Sequence, residues 1–310
     1  MMDFTSLLNL QLMMLIEIAV GWFLQRKNII TGEGKRVITD LVIDLLLPCN
    51  IICAFCIPMD STILSRGLQV LVISLLLQLF CTLISATCYN RMEPGRRAVI
   101  QYATVCSNAG FLGNPVVEGL YGSLGLLYAS IFLIPQRIVM WSAGVSYFAK
   151  SPSKKEVFKK VITHPCIVAV GIGMVLMFTR IELPGFLHNT LSGLGSCTTA
   201  MTMLLIGTIM AGADWKTLIC KTNVWFAAVR LIGIPLVVFV FCLLAKIDMI
   251  ATGVCTVLAA MPAGTTTAIL AARHHGEEEF AGKCVVFTTL LSMLAIPAWC
   301  VAIQFVYGIM

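Results

Sequence analysis

Two short polar stretches interrupt long apolar runs, and they hold the residues best suited to chemistry. One is Cys106, Ser107, Asn108, Ala109 and Gly110; the other is Met261, Pro262, Ala263, Gly264 and Thr265. Backbone that leaves the helix at membrane depth must find partners inside the protein or beside a water-filled cavity, so both stretches predict a polar chamber at mid-depth. The half-helix after each break starts with N–H groups that lack intrahelical acceptors and with a partial positive charge. Two such ends aimed at one chamber bind an anion without a lysine. Asn108, Asn114, Thr265, Thr266 and Thr267 add amide and hydroxyl donors that suit a carboxylate. The competing reading is structural: Gly110, Gly113 and Gly264 allow close helix packing, and the threonines bond back to their own helix.

Arg137 lies about 13 residues into an apolar run, or roughly 20 Å from its outer end at about 1.5 Å per residue. A charge that deep needs a partner. Two readings stand: Arg137 and Gln136 hold the substrate carboxylate, or Arg137 pairs structurally with Glu17, Asp44 or Glu118. Arg230 sits only about seven residues from the end of its run, where snorkelling to lipid headgroups is expected. Glu17, Asp44 and Glu118 are the candidates to carry a coupling proton, because burial raises a carboxyl pKa. His274 and His275 are adjacent, a weak metal signal in what reads as a solvated loop.

Composition sets the elements that must position these groups. Of 310 residues, 59% are apolar and 12% charged, with a mean hydropathy of +0.94. Soluble domains run near ~45–50% apolar and ~25% charged, so a water-soluble enzyme and a disordered chain are both excluded. No P-loop or dinucleotide-binding glycine pattern opens a helix, which excludes an ATP-driven pump with its own nucleotide domain. The 13 cysteines are scattered through apolar runs and read as small hydrophobes.

Hydropathy predicts ten spans, at about 7–24, 37–58, 67–88, 98–119, 123–148, 161–178, 189–211, 223–244, 249–270 and 282–306. The first is expected to be retained rather than cleaved, since Arg26 and Lys27 follow it and no basic residue precedes it. Odd-numbered connections hold 16 Lys and Arg and even-numbered ones 3. That bias predicts odd connections in the cytoplasm and both termini outside. Pro262 and Ser107 are 155 positions apart, half of the 310-residue length. The same step carries the start of span one onto span six and of span three onto span eight. Five spans is an odd number, so residues 1–155 and 156–310 are expected to form two repeats of inverted topology, as in secondary transporters. The expected fold is all-α, with spans four and nine broken.

At these segments the chain resembles the auxin efflux carrier family, which spans bacterial organic-acid carriers and plant PIN-type carriers. The resemblance is carried by Leu47 and Pro48, by the run Ser107 to Pro115, and by Tyr121 with Gly122 and Tyr128 with Ala129. Trp141 to Gly144, Met261 to Gly264 and Thr288 to Ser292 with Pro297 complete it, covering essentially the whole chain. It implies two inverted five-helix repeats, in which spans 1, 2, 6 and 7 form a scaffold, often dimeric, and spans 3–5 and 8–10 form a mobile transport domain. It also implies that Asn108 contacts the carboxylate and that Pro262 is a crossing proline. The sequence departs at Ser107, where the plant carriers have the first crossing proline, and in its short connection at about Lys150 to Lys160. Both departures favour a bacterial-type carrier of small organic acids over auxin itself.

The expected activity is secondary transport of small organic anions (malonate- or malate-like, or auxin-like) across the cell inner membrane by an elevator-type cycle. The expected substrate-binding set is Asn108, Gly110, Asn114, Gln136, Arg137, Pro262, Gly264, Thr265 and Thr266. No resident cofactor or metal is expected. Na⁺ or H⁺ coupling stays open, with Na⁺ held by unwound carbonyls near Asn108 and Thr265. The expected partners are the substrate, the bilayer and a second copy through the scaffold helices, with no nucleic acid. A channel or membrane sensor on the same scaffold is the alternative. An intramembrane enzyme is disfavoured, because no span offers paired aspartates, a Ser–His pair or HExxH.

Overall fold

The apolar runs separate at caps and prolines into helices. The computed structural model describes residues 4–57, 60–148, 153–212, 218–273 and 277–309, and among these every regular element is helical. In chain order they are α1 (Phe4–Arg26), α2 (Gly32–Phe55), α3 (Ser61–Thr87), α4 (Pro94–Val105), α5 (Ala109–Val139) and α6 (Lys154–Ile162). Then follow α7 (Pro165–Thr179), α8 (Gly185–Ala211), α9 (Lys221–Leu244), α10 (Met249–Ala259), α11 (Thr266–Arg273) and α12 (Glu278–Ile309). His274 and His275 lie outside the described residues.

Local chemistry sets several starts. Thr31 caps α2 by accepting from the Gly34 N–H, and Asp248 Oδ1 caps α10 by accepting from the Ile250 and Ala251 N–H groups. Pro94 and Pro165 each sit in a first turn, where a missing N–H removes no helix bond. Inside α5, Gly122 adopts φ 64°, ψ −155°, a conformation that glycine reaches without a Cβ clash. It divides that element where the sequence predicts one span to end and the next to begin.

Among the described residues, six helices are long and apolar enough to cross a membrane, or seven if α6 and α7, bent by 58°, count as one span. The protein is a multi-pass membrane protein. The faces of α3 fit that setting: Leu68, Leu75, Leu79 and Leu83 are exposed, whereas Ser74, Gln78 and Ser85 are buried. Apolar outside and polar inside is the reverse of a soluble helix.

The chain divides into two compact units. The first contains Met1–Gly67, Asn114–Ile131 and Ile162–Gly212; the second contains Leu68–Gly113, Phe132–Val161 and Ala213–Met310. In the first unit α1 packs along α8, and α2 packs on α7 and α8. Backbones touch there. A Cβ on Gly207 would meet the Ile18 carbonyl oxygen at 2.1 Å, and one on Gly21 would meet that of Leu204 at 2.2 Å. In the second unit, Tyr89, Val99, Ile100, Ala103, Phe226, Phe280 and Cys284 form a core around α4, α9 and α12.

Candidate functional site

In the second unit the two interrupted segments cross. α4 stops at Val105, and Cys106 turns extended at φ −121°, ψ 97°. α10 stops at Ala259, two residues before Met261, which the following proline biases away from the helix. Ser107 and Ala263 then pair as an isolated antiparallel bridge. The Asn108 N–H donates to the Pro262 carbonyl at 2.8 Å, and the Gly264 N–H donates to the Cys106 carbonyl at 3.0 Å. A Cβ at position 264 would sit 2.9 Å from the Cys106 oxygen, so the close approach requires glycine.

Neighbouring helices fix the bridge from the sides. Gln136 on α5 accepts from the Ser107 hydroxyl at 2.9 Å and donates from Nε2 to the Ser107 carbonyl at 2.8 Å. Thr288 on α12 accepts from the Ala263 N–H at 3.1 Å. Gln78 on α3 donates to the Val105 carbonyl at 2.9 Å. The serine found where the plant carriers have proline therefore has a use, since proline lacks the hydroxyl that Gln136 accepts from.

Helix starts flank the bridge on each segment. Asn108 caps the first turn of α5, its carbonyl accepting from the Leu112 N–H at 2.9 Å. Its side chain is 3% exposed, and its Nδ2 has no hydrogen-bond partner among the described residues. On the other segment, Thr265 is buried, Thr266 accepts from the Tyr102 hydroxyl at 3.0 Å, and the buried Thr267 Oγ1 has no partner among the described residues. Thr266 thus serves a contact between helices rather than bonding back to its own. Gly110 faces open space, with nothing within 4 Å of where a Cβ would stand. A buried amide donor at the starts of two half-helices presents positive potential to an acceptor, which is carboxylate-binding chemistry.

The other predicted residues divide between the units. Asn108, Gly110, Gln136, Arg137, Pro262, Gly264, Thr265 and Thr266 belong to the second; Asn114, Glu17, Asp44 and Glu118 belong to the first. Arg137 is 6% exposed, with its NH1 unpartnered and no carboxylate paired to it among the described residues of its own unit. Asn114 is fully buried with both amide atoms unpartnered among the described residues. Glu118 accepts from Asn50 Nδ2 at 2.8 Å, and Asp44 is exposed.

Arg230 corrects the sequence reading. Snorkelling would leave its guanidinium at the surface, but the side chain is 3% exposed. Its Nε donates to the Met261 carbonyl at 2.8 Å and its NH1 to the Thr104 carbonyl at 3.2 Å. Distance from the span end misleads here because the guanidinium finds backbone acceptors inside the protein, and α9 carries a π-turn over Val229–Gly233 at this residue. Its signal in the sequence is faint: an arginine inside an apolar run shortly before Gly233 and Pro235.

Residues 4–160 and 151–300 match the membrane transport protein family. The chain belongs to that family. Its relatives include an uncharacterised transporter of Methanocaldococcus jannaschii, 22% identical over 308 residues, covering 94% of this chain and 97% of the relative. A second, from Methanothermobacter thermautotrophicus, is 21% identical over 300 residues, with 94% and 97% covered. The resemblance carried by the broken-helix motifs is thereby borne out, and the family is one of membrane transporters rather than enzymes.

Proposed function

We propose that this transport protein is a secondary carrier of small organic anions, and that a carboxylate binds where the two broken segments cross. The observation that carries this reading is the unpartnered Nδ2 of buried Asn108 at the start of a half-helix, beside the Pro262 carbonyl that its own N–H engages. A buried amide without an acceptor costs about 1–3 kcal/mol, and a carboxylate oxygen would remove that penalty. Arg137, buried and with one nitrogen unpartnered, is proposed to supply further positive charge to the same anion. Gly110, Thr265 and Thr266 complete the proposed set.

We further propose ten spans in two inverted repeats. Support comes from the step between Ser107 and Ala263, which is 156 positions (263 less 107). That step carries Cys106 onto Pro262 and Asn108 onto Gly264, so the two bridge hydrogen bonds exchange into each other. It carries α1, α2, α3 and α4 onto α7, α8, α9 and α10 to within a few residues. The packing pairs α1–α8 and α2–α7 exchange likewise. In this reading α1, α2, α7 and α8 are the scaffold and dimer surface, and the segments around the crossing are the moving part of an elevator cycle. Both termini lie outside the cell inner membrane.

The test is flux into proteoliposomes of radiolabelled malonate, malate and an indole carboxylate. The expected result is saturable, competable uptake of at least one acid, lowered tenfold or more in Asn108→Ala at unchanged thermal stability. Uptake of none, or undiminished uptake by the variant, rejects the assignment. Imposed Na⁺ or pH gradients in the same vesicles decide whether Glu17, Asp44 or Glu118 has a coupling proton to carry.

A further inference from the structure

Two carbonyls from the ends of two different helices converge on one guanidinium. Thr104 is the penultimate residue of α4, Met261 lies two residues past the end of α10, and Arg230 bonds both oxygens. C-terminal helix ends carry roughly half a negative charge each, so two of them present about one negative charge. In carriers with unwound helices, such carbonyls are where a co-transported cation is coordinated. Here the neighbouring carbonyls are taken as well. Val105 accepts from Gln78, Cys106 from the Gly264 N–H, Ser107 from Gln136 and Pro262 from the Asn108 N–H.

We propose that Arg230 is a built-in counter-cation: it occupies the helix-end carbonyls that a bound Na⁺ would need, so the crossing holds its anion without co-bound Na⁺. This rests on the crossing being the carboxylate site. A guanidinium stays charged at any physiological pH and cannot dissociate with the substrate. It cancels the charge of the two C-terminal ends permanently. The two N-terminal ends, at Ala109 and Thr266, then leave about one net positive charge, a match for one carboxylate. Arg230 is a positioning residue that acts on the substrate through the backbone it holds.

The test needs no substrate, so its outcome stays separate from that of the transport assay. Thermal unfolding of the purified protein is compared in NaCl and in choline chloride at equal ionic strength. The expected result for the natural protein is one midpoint in both salts. A saturable rise with Na⁺ above about 2 °C would overturn the proposal, because ligand-linked stabilisation reports a bound ion. In Arg230→Ala the midpoint is expected to fall, and guanidinium at millimolar, non-denaturing concentration to restore part of it saturably. A variant as stable as the natural protein and indifferent to guanidinium would also overturn it. Should Arg230→Ala not fold, the comparison of salts on the natural protein decides alone.

Discussion

Gln136 grips Ser107 at two points, taking the hydroxyl proton on Oε1 and giving an Nε2 proton to the carbonyl. A residue outside the helix can hold a fixed place in a membrane protein only if something supplies both kinds of partner, and a carboxamide does so with one side chain. Gln136→Leu is expected to lose both bonds, about 2 kcal/mol at ~1 kcal/mol each, and to lower uptake at least tenfold. Gln136→Glu keeps the acceptor, loses the donor and sets a negative charge by the anion site. Its loss of anion affinity should exceed that of Gln136→Leu in flux measured against substrate concentration.

Gly264 and Gly110 separate packing from space. A Cβ at position 264 would meet the Cys106 carbonyl oxygen at 2.9 Å and that of Ser107 at 3.3 Å, whereas at 110 it meets nothing within 4 Å. Gly264→Ala should destabilise by about 1–3 kcal/mol through overpacking. Gly110→Ala should leave the unfolding midpoint unchanged, so any flux it loses reports the space open to substrate. Equal midpoints for the two variants would contradict the close crossing.

The two breaks were legible in the sequence; the bridge that joins them and the groups that secure it were not. Proline, glycine and asparagine within apolar runs mark backbone that cannot continue as helix, which is how the stretches at 107 and 262 stand out. Their half-length spacing could be read from position alone. Arg230 reaches the carbonyl of Thr104 across 126 positions, and backbone acceptors leave no trace in side-chain types. Gln136 was visible as a polar residue at depth, but its pairing with Ser107 was not. The buried place of Arg137 was legible from depth, because a charge far from either end of a span has no other way to be satisfied.

Close backbone contact between α1 and α8 makes the first unit sensitive to a single methyl group. Gly207→Ala would drive its Cβ onto the Ile18 carbonyl oxygen, 2.1 Å away, and the Trp22 nitrogen, 2.7 Å away. The helices must then part, with a fall in midpoint of several degrees for about 1–3 kcal/mol of overpacking. Gly171→Ala, which meets nothing within 4 Å, is the matched control and should leave the midpoint where it was.

At the start of α3, the Thr62 side chain and backbone hydrogen-bond the exposed Asp60 carboxylate and hold its pKa below the ordinary carboxylate value. A group whose folded pKa is depressed stabilises above its ordinary value, and the contribution is lost as pH falls through the lowered folded value. Amide protection of Ser61 to Leu64 should therefore drop in acid, below a pH of about 4. Asp60→Asn should show no such drop. A pH-independent first turn in the natural protein would contradict the cap.

The most direct measurement is equilibrium binding of mono- and dicarboxylates to purified natural protein and to Asn108→Ala, read as saturable shifts in unfolding midpoint. The account predicts that at least one acid stabilises the natural protein and that this shift disappears in a variant whose ligand-free midpoint is unchanged. The same shift in both proteins would contradict it, for then the carboxylate rests somewhere other than on Asn108.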